Sequence, residues 1–165
     1  MTSTYLGIDP GLKGGLATFQ EPLLDGDRVC VRVMPVEGKW IQCQRIVDWL
    51  QVIAPIGGRN IHAIVEQVGS MPKQGLSSTF KFGTGYGQII GMLQTLEIPY
   101  TLVRPQAWKG VVLAGTSKDK AAAIAFCARE YPGVPLIPER CRVPHDGIAD
   151  ALCLVHYGRL KHVSG

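Results

Sequence analysis

The sequence predicts an α/β fold, a mixed five-stranded sheet with helices on both faces, and three observations lead there. Three short apolar runs linked by turn residues open the chain, which is the pattern of antiparallel strands joined by hairpins. From about residue 40 onward helical and strand-like periods alternate, as they do where strands are connected through helices. Finally, two apolar runs fit for buried strands, Thr4-Tyr5-Leu6-Gly7-Ile8 and Ile61-His62-Ala63-Ile64-Val65, each deliver a carboxylate, Asp9 and Glu66, to their C-terminal ends.

Taken in order, the first strand covers residues 5–8 and breaks at Pro10-Gly11. Residues 16–19 form its antiparallel partner and 28–34 a third strand, with Leu24-Asp25-Gly26-Asp27 suited to the hairpin between them. Trp40, Cys43, Val47, Leu50 and Ala54 fall at helical spacing, and Pro55-Ile56-Gly57-Gly58 ends that helix. At this spacing Trp40 and Trp49 are expected in the core rather than stacked on a ligand. The fourth strand carries Glu66. A long helix over 77–96 follows, with Leu76, Phe80, Ile90, Leu93 and Leu96 as apolar positions. Gly83, Gly87 and Gly91 recur every fourth residue within it. Each costs about 1 kcal/mol relative to alanine, so this smooth face implies close approach by a strand, another helix or a second subunit. Residues 100–103 form the fifth strand, stopped by Arg104-Pro105. A helix over 117–131 is expected next, with Ser117 as its N-cap, ended by Pro132-Gly133. After a loop over 135–144, the last helix spans 145–160. No linker divides the chain, so residues 1–165 are expected to form one domain.

Composition narrows the function. With 165 residues, 46% of them apolar, the chain can bury a substantial core. Its net charge is +4, and nine Lys/Arg stand against four Asp/Glu between Gln67 and Arg142, so the middle leans towards a polyanionic partner. A plain solvated basic surface is the competing explanation. Five scattered cysteines without a C-x-x-C pair argue against a zinc or disulfide framework and for a reducing compartment. No apolar run approaches the roughly 18 residues of a membrane span, and the N-terminus enters a strand too early for a signal peptide. A cytoplasmic protein without a membrane partner is expected.

The carboxylates carry the chemistry. In His145-Asp146-Gly147-Ile148-Ala149-Asp150-Ala151-Leu152 two aspartates four residues apart share one face of an otherwise apolar helix. Carboxylates placed among core residues are costly unless paired or bound to cations, so Asp9, Glu66 and this pair point to one shared metal site. They meet if the first and fourth strands are parallel neighbours and the last helix crosses their ends. Oxygen-rich sites take Mg2+ or Mn2+, and two such ions together imply phosphoryl chemistry. Asp9 is the natural bridging ligand, with Glu66 and Asp150 completing the set. Asp146 is either a further ligand or a favourable charge at the helix N-terminus. His145 is open as a ligand, a general acid/base or a helix-start residue.

Gly7-Ile8-Asp9-Pro10-Gly11, Glu66-Gln67 after a strand, the late Asp146-x-x-x-Asp150-Ala151-Leu152 and the basic Trp108-Lys109 segment together resemble the RuvC-like Holliday junction resolvases, particularly the short phage and bacterial forms. The resemblance implies an RNase H-like fold. It also implies a homodimer that binds four-way junction DNA and cuts two strands symmetrically, using two Mg2+ per site and leaving 5′-phosphate and 3′-hydroxyl ends. The family's commonest spacing of the last two ligands would fall on Gly147, which has no side chain to offer; Asp146 is the preferred substitute and His145 the alternative. Lys120 matches the family spacing from Lys109 best and is the expected catalytic lysine, with either Lys118 or Lys120 expected to approach the scissile phosphate or the flanking backbone. Lys73, Lys81, Lys109 and Lys118 join it as expected DNA contacts, Lys109 and Lys118 being near helix or strand ends suited to phosphate. In the loop 69–75, Met71 is an expected DNA contact and a candidate for the wedge that opens base pairs at the crossover; Phe80 is the other candidate, though a core position is preferred for it. A kinase-like ATPase of related fold needs far more chain. Other nucleases of this fold, acting on RNA–DNA hybrids or branched DNA, and a non-catalytic junction-binding module are the remaining alternatives.

Overall fold

The computed structural model describes residues 3–21, 28–53, 60–67, 69 and 75–161. Strands β1 (Ser3–Asp9), β2 (Gly15–Glu21) and β3 (Arg28–Val33) form an antiparallel meander, and β6 (Asn60–Glu66) and β7 (Tyr100–Val103) extend it in parallel on the other side of β1. The order is β3-β2-β1-β6-β7, so β1 is central. A two-stranded hairpin, β4 (Val36–Glu37) and β5 (Trp40–Ile41), stands apart from this sheet. The helices are α1 (Cys43–Ile53), α2 (Leu76–Thr95), α3 (Pro105–Val112), α4 (Lys120–Glu130) and α5 (Asp146–Lys161). This is the expected mixed five-stranded α/β sheet, covered on both faces, with the architecture of an RNase H-like fold.

Strand alternation sorts the side chains into two cores. Leu6, Ile8, Leu16, Ile61, Ala63 and Val65 pack against α1 and α2. Tyr5, Ala17, Phe19 and Ile64 pack against α3, α4 and α5. Helix α5 is apolar nearly all round, from Ile148 and Ala149 to Leu154 and Val155, because the sheet covers one side of it and α3 and α4 cover others.

Its seat on the sheet depends on missing side chains. A Cβ at Gly7 would fall 2.0 Å from the Ala151 carbonyl oxygen, and one at Gly15 would fall 2.5 Å from that of Gly147. One at Gly147 would lie 2.6 Å from the backbone of Lys13 and Gly14, and Gly14 and Gly147 form an isolated parallel bridge. Gly147, Ala151, Val155 and Gly158 thus form the helix stripe that touches β1, β2 and β6.

Several expectations change. Trp40 does not begin a helix: Gly38, at φ +60°, turns the chain, Ile41 is the buried anchor of the hairpin, and Trp40 stays half exposed. Trp49 does pack against the α1–α2 core. Asp119, not Ser117, caps α4, its carboxylate accepting from Ala122 N–H at 2.8 Å. Arg104-Pro105 ends β7 but also starts α3, since proline at the first helical position has its φ already set. Phe80 is 74% exposed, so its expected core position is overturned. A Cβ added at Gly83, Gly87 or Gly91 of α2 would meet no atom within 4 Å among the described residues, so packing among those residues does not explain this glycine face. The turn at 24–27 and the helix end at 55–58 lie outside the described residues. Among the described residues no helix is long and apolar enough to cross a membrane.

Gly7→Ala forces α5 off the sheet and is expected to destabilise by on the order of 3 kcal/mol. Gly87→Ala, in open space, is expected to stabilise by about 0.5–1 kcal/mol. Denaturant midpoints of the two variants check both signs.

Candidate active site

Ile8 pairs with Val65 in parallel register, so Asp9 and Glu66 end adjacent strands side by side. Alternation puts Asp9 on the face of Tyr5 and Gly7, and Glu66 on the face of Ile64, the face covered by α3–α5. On α5, Asp146 and Asp150 each precede a residue of the sheet-contacting stripe, Gly147 and Ala151, and so flank it at the end of the helix that lies over those strand ends. The four carboxylates come within electrostatic reach of one another.

Burial dominates their chemistry. Asp9 is pushed up to about 7, first by burial and then by the charge of Glu66, with Asp150 and Asp146 adding to it against the hydrogen bond from Gly11 N–H at 3.3 Å. Asp150 rises to about 6, by burial and then Glu66, while Lys109 pulls it down. Burial also raises Glu66, opposed by a hydrogen bond from Trp108 and by Lys109. Asp146 goes the other way, held below the usual carboxylate range by its hydrogen bond and ion pair with Lys120.

Among the described residues no three His, Cys, Asp or Glu side chains form a ready-made metal-holding group. The carboxylates are engaged singly: Asp9 with Gly11, Glu66 with Trp108, Asp146 with Lys120. The donor chemistry nevertheless suits a hard cation, since the four carboxylates lie within electrostatic reach of one another and burial makes three of them, Asp9, Glu66 and Asp150, resist ionisation.

His145 serves as the start of α5, its Nδ1 accepting from Ile148 N–H at 3.3 Å and its carbonyl from Ala149 N–H at 3.2 Å. Lys109 lies 5.2 Å from the Trp108 ring and acts on Glu66 and Asp150. Lys118 sits just before α4 at φ +58°, exposed, with its N–H on Thr116 Oγ1 at 3.1 Å and no contact to a carboxylate among the described residues. Lys81 is exposed on α2, which covers the opposite face of the sheet. Met71 and Lys73 lie outside the described residues.

Trp108 is the site residue that the sequence did not single out by role. Fully buried, it donates from Nε1 to Glu66 Oε2 at 2.7 Å. The signal was present: Pro105 starts a helix, which puts Trp108 one turn inside it, and a buried indole N–H requires an acceptor.

No protein-family model matches the chain, and no curated protein matches it in sequence. Solved structures do match. A Thermus thermophilus RuvC structure aligns over 98% of both chains with a TM-score of 0.61 and 18% identity, and T. thermophilus RuvC in complex with a Holliday junction substrate gives the same values. The yeast mitochondrial Holliday junction resolvase Ydc2 aligns over 96% of this chain and 80% of its own, with a TM-score of 0.56 and 13% identity. At these identities the likeness is one of fold.

Two outcomes follow from this geometry. Trp108→Phe keeps the packing and loses the hydrogen bond, leaving Glu66 Oε2 without its donor; a loss of about 1–3 kcal/mol is expected in denaturant unfolding. Because Asp9 and Asp150 have native values above their unfolded ones, the native state holds more protons between about pH 4 and 7. Metal-free stability therefore falls as pH rises through that window. Asp9→Asn is expected to melt roughly 3–8 °C above wild type in EDTA at pH 8 and close to it at pH 4.5. Equal melting temperatures at pH 8 would remove carboxylate burial as a source of strain.

Proposed function

We propose that the chain is a Mg2+-dependent endodeoxyribonuclease that resolves four-way DNA junctions, a single nuclease domain acting as a homodimer with one site per subunit. The observation that supports this reading is Asp9 and Glu66 side by side at adjacent strand ends, with Asp150 and Asp146 of α5 near enough to act on Asp9 electrostatically and burial raising Asp9, Glu66 and Asp150. Likeness in fold to RuvC, one structure of which holds a Holliday junction substrate, favours a junction over other nucleic acids by analogy. The open glycine face of α2 is consistent with a second copy packing there.

In this reading Asp9, Glu66, Asp146 and Asp150 hold two Mg2+ ions per site, with Mn2+ able to substitute. Bound, these ions supply Lewis acidity for attack of water on phosphorus and for departure of the 3′-oxygen. Trp108 fixes one Glu66 oxygen and leaves the other free. Asp146 is preferred to His145 because the histidine's Nδ1 is occupied as a cap. Lys120, largely exposed, occupies Asp146 in the free protein and moves to the DNA phosphate when Asp146 is drawn to metal. Lys109 sits close enough to temper the same negative charge, while Lys118 and Lys81, with Met71 and Lys73 of the 69–75 loop, meet the flanking DNA. Hydrolysis then breaks the bond between phosphorus and the 3′-oxygen, leaving 5′-phosphate and 3′-hydroxyl ends.

A cleavage assay on a synthetic four-way junction, a flap, linear duplex and an RNA–DNA hybrid, with and without Mg2+, tests this. Paired nicks placed symmetrically across the junction are expected, and Asp9→Asn is expected to keep junction binding while losing at least about 100-fold in cutting. Preference for the hybrid would indicate a ribonuclease. Tight junction binding with no cutting under Mg2+ or Mn2+ would indicate a non-catalytic module.

A further inference from the structure

We propose that the groove between the β4–β5 hairpin and the N-terminal half of α2 is a stacking site for one unpaired nucleobase, with Trp40 and Phe80 as its aromatic surfaces. It rests on the reading above for nucleic acid as the partner. Lys39, Trp40, Ser77, Phe80, Lys81 and Thr84 line a volume of about 170 Å³. That is below the size of a drug-like pocket and on the scale of a single ring system.

Two features make this more than a pair of stray aromatics. Trp40 and Phe80 come from elements forty residues apart, and both keep large exposed areas, 50% and 74%, on the same groove. Among the described residues the lining also carries two lysines and no acidic side chain, so it complements a ligand with an apolar face and a negative backbone. A single-stranded nucleotide has both; a duplex, whose base faces are already stacked, does not.

The groove is built on fixed supports. Ile41, next to Trp40, is buried against α2, where a Cβ at Gly85 would lie 3.2 Å from its Cδ1. The Gln88 side chain clamps the Ile41 backbone at both groups, accepting from its N–H at 3.4 Å and donating to its carbonyl at 3.2 Å. The hairpin therefore holds Trp40 at a set position over α2.

Its place relative to the carboxylates is also defined. The Phe82 ring lies beside the turn that follows Asp9, 3.8 Å from where a Gly11 Cβ would be, and the Gly85 Cβ position is 3.8 Å from the Pro10 carbonyl oxygen. Phe80 is five residues from Gly85, about 7.5 Å along the helix axis. The turn after Asp9 and the groove thus border the same stretch of α2, and a strand that leaves that turn along α2 would meet the groove.

Fluorescence anisotropy of labelled oligo(dT) in EDTA tests this without cleavage. Trp40→Ala and Phe80→Ala are each expected to weaken binding by about 5- to 100-fold, Trp40→Tyr to restore most of it, and duplex binding to change less than about twofold. Both side chains are exposed, so unchanged melting curves are expected to show that the variants fold. Wild-type affinity in both alanine variants overturns the proposal, as does absence of oligo(dT) binding by the wild type. So does sedimentation in which Trp40→Ala abolishes a dimer while oligo(dT) affinity is retained, since the groove then holds a second copy. If wild type never cuts a junction yet oligo(dT) binding depends on Trp40 and Phe80, the nuclease reading fails and the groove stands. If wild type cuts junctions and both alanine variants bind oligo(dT) normally, the groove alone fails.

Discussion

The contact on which the site depends is that of the α5 backbone with the backbones of β1 and β2. With glycine at 7, 14, 15 and 147, helix and sheet meet without intervening side chains, close enough for Gly14 and Gly147 to form a β-bridge. That distance sets where Asp146 and Asp150 stand relative to Asp9. It also explains why position 147 holds no carboxylate: any side chain there would run into Lys13 and Gly14. A ligand from this turn of the helix has to come from a neighbouring position, and Asp146 lies at the edge of the contact stripe instead of in it.

Placing carboxylates beside such a contact is costly, and the magnitudes show what must compensate. A rise from the ordinary value to about 7 corresponds to a penalty on the order of 4 kcal/mol for ionised Asp9. The hydrogen bond from Gly11 N–H is already included in that value, so the penalty is what remains after it. Against a typical net stability of about 5–15 kcal/mol this is a large fraction. The apolar burial around α5, with Leu152, Leu154, Val155 and Trp108 fully enclosed, is what lets the fold carry it. Protons relieve the strain at low pH, and Lys109 and Lys120 reduce it at neutral pH. A bound cation would relieve more, because it acts on all the carboxylates at once.

Much of this was legible in the sequence because it follows from periodicity. Apolar runs that end on Asp9 and Glu66 specify strands with carboxylates at their tips, and a spacing of four puts Asp146 and Asp150 on one helix face. Turn residues specify the hairpins that pair the first three strands, whereas the parallel pairing of β1 with β6 and the crossing of the last helix stood only as the condition for the carboxylates to meet. What escaped was decided by contacts between distant segments. Arg104-Pro105 serves equally as a strand stop and a helix start, so α3 was hidden, and the bond from Trp108 to Glu66 with it. Trp40 fits a helical spacing with Cys43 and Val47, but Gly38 at positive φ and the Gln88 clamp on Ile41 draw it into a hairpin. Phe80 looks like core by composition and lies on the solvent side of α2, a choice no local pattern records.

The two faces of the sheet divide the labour. The carboxylates belong to the α3–α5 face, and the hairpin and α2 belong to the other. They come together at the turn after Asp9, where Gly11 and Pro10 lie between the carboxylate and Phe82 and Gly85 of α2. This turn is at the C-terminal end of the central strand, where the sheet changes from antiparallel to parallel pairing and elements of both faces can reach one ligand. A nucleic acid strand that uses both faces must cross there. The small residues of Pro10-Gly11 leave room for such a crossing, and in the proposed reading a bulky side chain in the turn would separate the carboxylates from the aromatic groove without touching a single carboxylate.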